Sequence, residues 1–305
     1  MGARKFKKAT AAKSSAAKSR APEMPGNAVA GAMSSRALST AISKRKTIPQ
    51  RLDALSKVSL GADRGGDRLQ AILDVLRDVN EPVELRLGAL QSLQAASFSV
   101  ATFSAVQGDY QAVLRQVAQD TDPKLREEAL DLLATQKDGF AQKKLLEGLQ
   151  DSTKALVSPE KALQLLGYDA HAAGLKAARA IIENPPNPVA KQEALRLLAS
   201  DPSSVPIFEK TLLDKDELRE NRQISASALH SLAPEKLQDL ARNIVLDKGD
   251  YDDIKATSLT ALSQFGDSPT LAVDKTLQKS VDRLKAKSST MLQQSAGQFL
   301  SKYGG

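Results

Sequence analysis

A small residue followed by leucine, with a second leucine three positions further on, recurs along most of this chain. It stands as Ala89-Leu90…Leu93, Ala129-Leu130…Leu133, Ala162-Leu163…Leu166 and Ala194-Leu195…Leu198. It continues as Ala228-Leu229…Leu232, Ser258-Leu259…Leu262 and Ala296-Gly297…Leu300. The successive spacings are 40, 33, 32, 34, 30 and 38 residues, in the range where one supersecondary unit repeats along a solenoid. At about 100° of rotation per residue the three positions share one helix face. The small residue admits a neighbouring helix and the leucines fill the space beside it. A second apolar helix precedes each signature, as at Leu69, Ile72, Leu73 and Leu76, or at Ile207, Phe208, Leu212 and Leu213. Each unit therefore predicts a helix pair, and only stacking of pairs buries both stripes.

Turn chemistry agrees with this pairing. Pro82, Pro123 and Pro188 fall at the starts of second helices, where a missing N–H costs nothing. Asp122 and Asn187 precede two of them as N-caps. Asp78, Asp120, Asp151, Asn184 and Asp247 close first helices. Arg86, Arg126, Lys191 and Lys255 stand three residues before the signature, and the reading is a structural ladder tying turns together. Pro159 takes that place in the third unit.

The segment Asp120–Leu130 resembles the turn and second helix of a HEAT repeat, and so do Glu81–Leu93 and Asn187–Leu198. The tetratricopeptide repeat has a similar period, but its Trp and Leu-Gly…Tyr positions are not found. The resemblance implies an all-α, right-handed α-solenoid of about seven helix pairs over residues 67–305, with second helices lining a concave face. Positions one before and two after the small residue then point away from the core. They supply the candidate partner-binding residues Gln91, Glu128, Asp131, Gln164, Glu193, Arg196, His230, Thr260 and Gln298. None is large and apolar, and the surface they form fits a polar peptide or protein.

Catalytic material is sparse. The chain has no Cys and only two His, which removes thiolate chemistry and leaves a zinc or iron site short of ligands. HEAT-like metalloenzymes use paired His-Glu motifs, and this chain has no His-Glu dipeptide. The Gly61–Gly66 cluster is followed by no Gly-Lys-Ser/Thr and reads as a joint rather than a phosphate loop. The expectation is a non-catalytic interaction scaffold or adaptor with no cofactor and no metal; an enzyme of HEAT-like build, such as a bilin lyase, ranks last.

Charge adds a second theme. Residues 1–51 hold twelve Lys/Arg and one acid, whereas the rest holds 31 bases and 35 acids. Rich in Ala, Ser and Lys, the first 50 residues predict a disordered basic arm, joined by a linker over 51–66. A short helix around Ala28–Ile42 is the one element foreseen there. Arg4, Lys5, Lys7, Lys8, Lys44, Arg45 and Lys46 are its candidate contacts to nucleic acid or an anionic surface, nonspecific and salt-sensitive. This supports the alternative of a nucleic-acid-associated adaptor. Absence of Cys suits a reducing, cytoplasmic setting. An organellar transit peptide is the alternative, since the arm is Ser-rich and acid-poor. No apolar run is long enough to span a bilayer.

Overall fold

The structure, a computed structural model, describes residues 25–60 and 66–304. Eighteen α-helices and no strand occur among the described residues. No helix among them is long and apolar enough to cross a membrane. The chain is an all-α helical-repeat solenoid, and it divides into two compact units, Met1–Val106 and Gln107–Gly305.

The N-terminal unit contains the helices α1 (Pro25–Ala41), α2 (Ile48–Ser56), α3 (Asp67–Arg77), α4 (Val83–Ser97) and the short α5 (Val100–Phe103). The C-terminal unit begins with first helix α6 (Gln107–Val117) and second helix α7 (Pro123–Thr135). Four pairs follow, α8 (Gly139–Gln150) with α9 (Pro159–Leu166), α10 (Ala172–Glu183) with α11 (Pro188–Leu198), α12 (Val205–Leu213) with α13 (Arg219–Leu232), and α14 (Pro234–Leu246) with α15 (Asp252–Phe265). After the short α16 (Ser268–Val273), α17 (Lys275–Lys287) pairs with α18 (Thr290–Tyr303). Within this unit each second helix packs on the next, α7 on α9, then α11, α13, α15 and α18.

Seven pairs stand from residue 67 onward, and the leucine stripe is their buried seam: Leu130, Leu195 and Leu229 are 0% exposed. The register slips in two units. In α13 the buried set is Asn221, Arg222, Ser225, Ala226, Ala228 and Leu229, while Leu232 is only half-buried. The small residue there is Ser225, one turn before Ala228. In α18 Phe299 takes the seam and Leu300 lies at its edge.

An eighth pair corrects the boundary of the arm. Residues 25–41 and 48–56 are helical; the first matches the short helix expected around Ala28–Ile42, whereas composition assigned the second to the end of the arm and the linker. Residues 1–24, with Arg4, Lys5, Lys7 and Lys8, lie outside the described residues. The average over 50 residues hid a usable stripe. Ala54 and Leu55 are buried. An added Cβ on Gly88 would lie 3.1 Å from Leu55 and 3.3 Å from Leu52, so the absent side chain lets α2 approach α4 closely. Thr47 and Gln50 close a capping box at the start of α2.

The basic ladder has a defined chemistry. Arg51 Nε donates to Ala41 O at 2.8 Å, Arg86 Nε to Leu76 O at 3.0 Å and Arg222 Nε to Leu212 O at 2.8 Å. In each case the fourth residue of a second helix caps the carbonyl end of its own first helix, where orphan acceptors and partial negative charge gather. The same side chains reach forward. Arg51 forms a bidentate pair with Glu81 at 2.6 and 2.9 Å, and Arg222 donates to Asp250 at 2.8 Å. Lys191 bridges in the same way to Glu217. Arg126 finds no carboxylate there and donates to Leu156 O of the following turn. Arg51 and Arg222 escaped sequence reading, the first because it lay in the presumed linker, the second because of the slipped register.

One turn is strained. Lys137 follows α7 with φ 56°, the left-handed conformation that closes a helix and favours glycine. Its N–H bonds Ala134 O and that of Asp138 bonds Leu133 O, each at 2.9 Å. Lys137→Gly should raise stability by about 0.5–1 kcal/mol; equal or lower urea midpoints for the variant would contradict this.

Candidate functional site: the second-helix surface

In the C-terminal unit the outward face of the second helices carries few large apolar side chains, which follows from its polar rows. Two depressions open on it. One, of about 400 Å³, lies between α9 and α11 and is lined by Leu163, Gln164, Gly167, Ala170, Glu193, Arg196, Leu197 and Ser200. The other, of about 330 Å³, lies between α11 and α13 and is lined by Arg196, Ala199, Gln223, Ile224, Ser227, Ala228 and Ser231. Arg196 belongs to both. Its Nη1 donates to the Glu193 carboxylate one turn earlier on α11. Glu193 is buried, whereas half of the Arg196 side chain remains open to solvent.

Gln223 gives the second depression a polar handle. Its Nε2 donates to Thr257 Oγ1 at 3.1 Å, while its buried Oε1 has no hydrogen-bond partner. A buried carbonyl oxygen left unpaired costs free energy. The two hollows thus combine apolar floors with a shared guanidinium, a mixture suited to orienting a ligand.

The candidate residues are not one continuous row. Gln164, Glu193 and Arg196 meet at the first depression. Asp131 is drawn toward Lys161, whose ammonium sits 3.1 Å from Glu127 and 3.7 Å from Asp131. Burial alone would lower the Lys161 pKa, but hydrogen bonding and attraction from these two acids hold it above its usual value. Glu128 and Gln298 are exposed. Thr260 bonds Ala256 O at 2.9 Å and sits 3.4 Å from Ser295 Oγ, so its hydroxyl is engaged within and between helices. His230 packs edge-on to Phe265 at 5.6 Å, and its Nδ1 is buried without a partner. Gln91 is exposed on α4 of the N-terminal unit.

Sequence reading missed Gln223, Ile224 and Ser231. The signal was present, because Arg222 stands three before Ser225 as Arg86 stands three before Ala89. That register places Ser227, rather than His230, two after the small residue.

Of the arm's candidate cations, Lys44 is held by the fold. Its ammonium lies 2.8 Å from Asp78 and 3.8 Å from Glu81. Hydrogen bonding to Lys44 and to Asn80 brings the Asp78 carboxyl down to about 2. Arg45 and Lys46 are exposed. Among the described residues no cluster of three or more His, Asp or Glu is placed to hold a metal ion.

No protein-family model and no curated protein matches the sequence. Among solved structures, the chain is similar to human deoxyhypusine hydroxylase in complex with glycerol, at 16% identity over 77% of this chain and 96% of that one, with a TM-score of 0.33. It is also similar to the complex of CpcE and CpcF of phycocyanin lyase from Nostoc sp. PCC7120, at 15% identity over 96% of this chain and 99% of that one, with a TM-score of 0.37. These two are named for a hydroxylase and a lyase. The expectations of a non-catalytic scaffold and of no enzymatic role are therefore withdrawn.

Proposed function

We propose that the second-helix surface around Arg196 is the polypeptide-docking surface of an enzyme assembly, built on HEAT-like repeats. It takes an extended segment with an acidic residue at Arg196 and small apolar side chains on either side. The observation that supports this most directly is the sharing of Arg196 by two adjoining depressions. An extended chain advances about 3.3 Å per residue and alternates its side chains. It can therefore fill two neighbouring hollows while the residue between them meets Arg196. Arginine suits the central position because its planar fork pairs with a carboxylate through two hydrogen bonds.

The test uses the full chain and fluorescent peptides of a degenerate library, with Asp/Glu or Lys/Arg fixed at the centre. Acidic-centred peptides should bind, and Arg196→Glu should weaken them at least tenfold while circular dichroism and melting stay unchanged. Ile224→Arg should block the second hollow with a similar loss. Equal binding of acidic and basic sets, or unchanged affinity in Arg196→Glu, would remove the proposal.

A further inference from the structure

The turns that open the last four second helices carry an apolar row. Val189 in the first turn of α11, Leu218 before α13, Tyr251 before α15 and Met291 in the first turn of α18 are 51%, 49%, 44% and 56% exposed. With Leu213 at the end of α12 they make five of the eight large apolar residues exposed among the described residues of the C-terminal unit. Single exposed apolar residues are ordinary, but these gather on one edge of successive units. The corresponding turns before α7 and α9 hold none.

Polar links hold the row together. Lys191 on α11 pairs with Glu217, which adjoins Leu218. Arg219 at the start of α13 lies 3.2 Å from Asp253, and its guanidinium sits 5.0 Å over the Tyr251 ring. Asp252 on α15 accepts the N–H of Ser289 at 2.7 Å, two residues before Met291. The turns therefore follow one another at the spacing of packed helices, about 8–10 Å. A polyproline II segment, with 3 residues per turn and a rise of about 3.1 Å, brings a side chain back to one face about every 9 Å. An extended strand does so about every 6.6 Å and falls out of step within two units. The same edge is negative. Asp214, Asp216 and Glu220 flank Leu218 and are exposed. None of the three forms an ion pair among the described residues, and Glu220 adds only a longer-range pull on Arg219. Lys215 is engaged with Asp247 and Asp250, which leaves Lys248 as the opposing exposed cation on these turns.

We infer that this edge binds a basic, proline-rich segment of a partner protein in the polyproline II form, with an apolar side chain at every third position and lysine or arginine between. The apolar positions rest on Val189, Leu218, Tyr251 and Met291 in turn, and the cations meet Asp214, Asp216 and Glu220. Such a segment is already ordered before it binds and loses little entropy on docking against aromatic and apolar side chains. Arg219 stacked on Tyr251 holds the ring in place. The edge shares no residue with the hollows around Arg196 and selects the opposite charge.

The test uses the full chain and a fluorescent peptide of four Leu-Pro-Lys triplets. Two controls accompany it, the same composition in scrambled order and a form with Glu for every Lys. The triplet peptide should bind, and each control should bind about tenfold more weakly. Tyr251→Ser and Leu218→Ser should each lower its affinity about fivefold, with circular dichroism and melting unchanged because both side chains are half open to solvent. Glu220→Lys should weaken binding too, most at low salt. Arg196→Glu, which disables the hollows of the second-helix surface, should leave it unchanged. No binding of the triplet peptide, equal binding of either control, unchanged affinity in both Tyr251→Ser and Leu218→Ser, or loss in Arg196→Glu would each overturn the inference.

Discussion

Arg222→Met should destabilise the C-terminal unit by about 3–5 kcal/mol, the usual cost of removing one partner from a buried ion pair. The Asp250 side chain is 0% exposed and that of Arg222 is 3% exposed. The substitution removes the cap on Leu212 O and the 2.8 Å bond to Asp250 together, and leaves Asp250 the half-exposed Lys215 and the Tyr251 N–H. An uncapped helix-end carbonyl together with a buried carboxylate that has lost its buried cation make this worse than the loss of any surface pair, which contributes about 1 kcal/mol or less. The deficit should depend on pH. In the native chain burial opposes ionisation of Asp250, but hydrogen bonds from Arg222, Lys215 and the Tyr251 N–H hold its carboxyl below the usual value. That contribution is present above pH ~4 and is lost as pH falls through the depressed folded value. Without Arg222 burial is offset only by Lys215 and the Tyr251 N–H, so the folded value moves back up and ionised Asp250 contributes less, a difference that protonation removes. Urea unfolding of both forms at pH 7 and pH 4 should show the gap between them narrowing on acidification. A gap that stays constant or widens would mean Asp250 is not the seat of the effect.

How much of this was legible beforehand follows from which interactions are local. The leucine stripe is a property of single helices, so Leu130, Leu195 and Leu259 could be placed in the core from spacing alone. Caps are equally local: Asp122 accepts the Leu125 N–H at 2.9 Å and Asn187 the Ala190 N–H at 2.8 Å. The α1/α2 pair was not legible in this way. Its stability comes from docking, through Leu52 and Leu55 against Gly88 and through Arg51 on Glu81, 30 residues later. Composition over residues 1–50 cannot see a partner outside the window.

The candidate site was legible in part for a related reason. Gln164, Glu193 and Arg196 follow from a correct register in α9 and α11. In α13 two turns of the helix offer a small residue followed by an apolar one, Ser225-Ala226 and Ala228-Leu229. Alanine and leucine make the second turn the better apolar match. The choice is settled by Arg222, whose guanidinium must reach the end of α12, and that long-range bond fixes the first turn as the seam. His230 therefore rotates to the flank beside Phe265, and Gln223 takes the place facing Arg196. A polar contact decided the register that hydrophobicity alone left ambiguous.

Leu195→Ala should cost about 2–5 kcal/mol, because it removes a fully buried side chain from the seam between neighbouring second helices. The loss combines transfer of the deleted carbons with a cavity that helices held on both sides cannot close. α11 packs on α9 and on α13, as well as on its own first helix α10, so relaxation of one neighbour opens a gap against another. In a stacked-repeat chain the energy of a unit is shared only with its neighbours. The damage should therefore be local before it is global. Amide exchange in the variant should accelerate first in α9 to α13, with α17 and α18 following only at global unfolding. Gln164→Ala, on the exposed face of α9 and touching the same depression, should stay within about 0.5 kcal/mol of the native chain. Equal losses for the two variants, or uniform acceleration of exchange across the whole C-terminal unit, would show that the leucine stripe is not the seam on which these pairs stack.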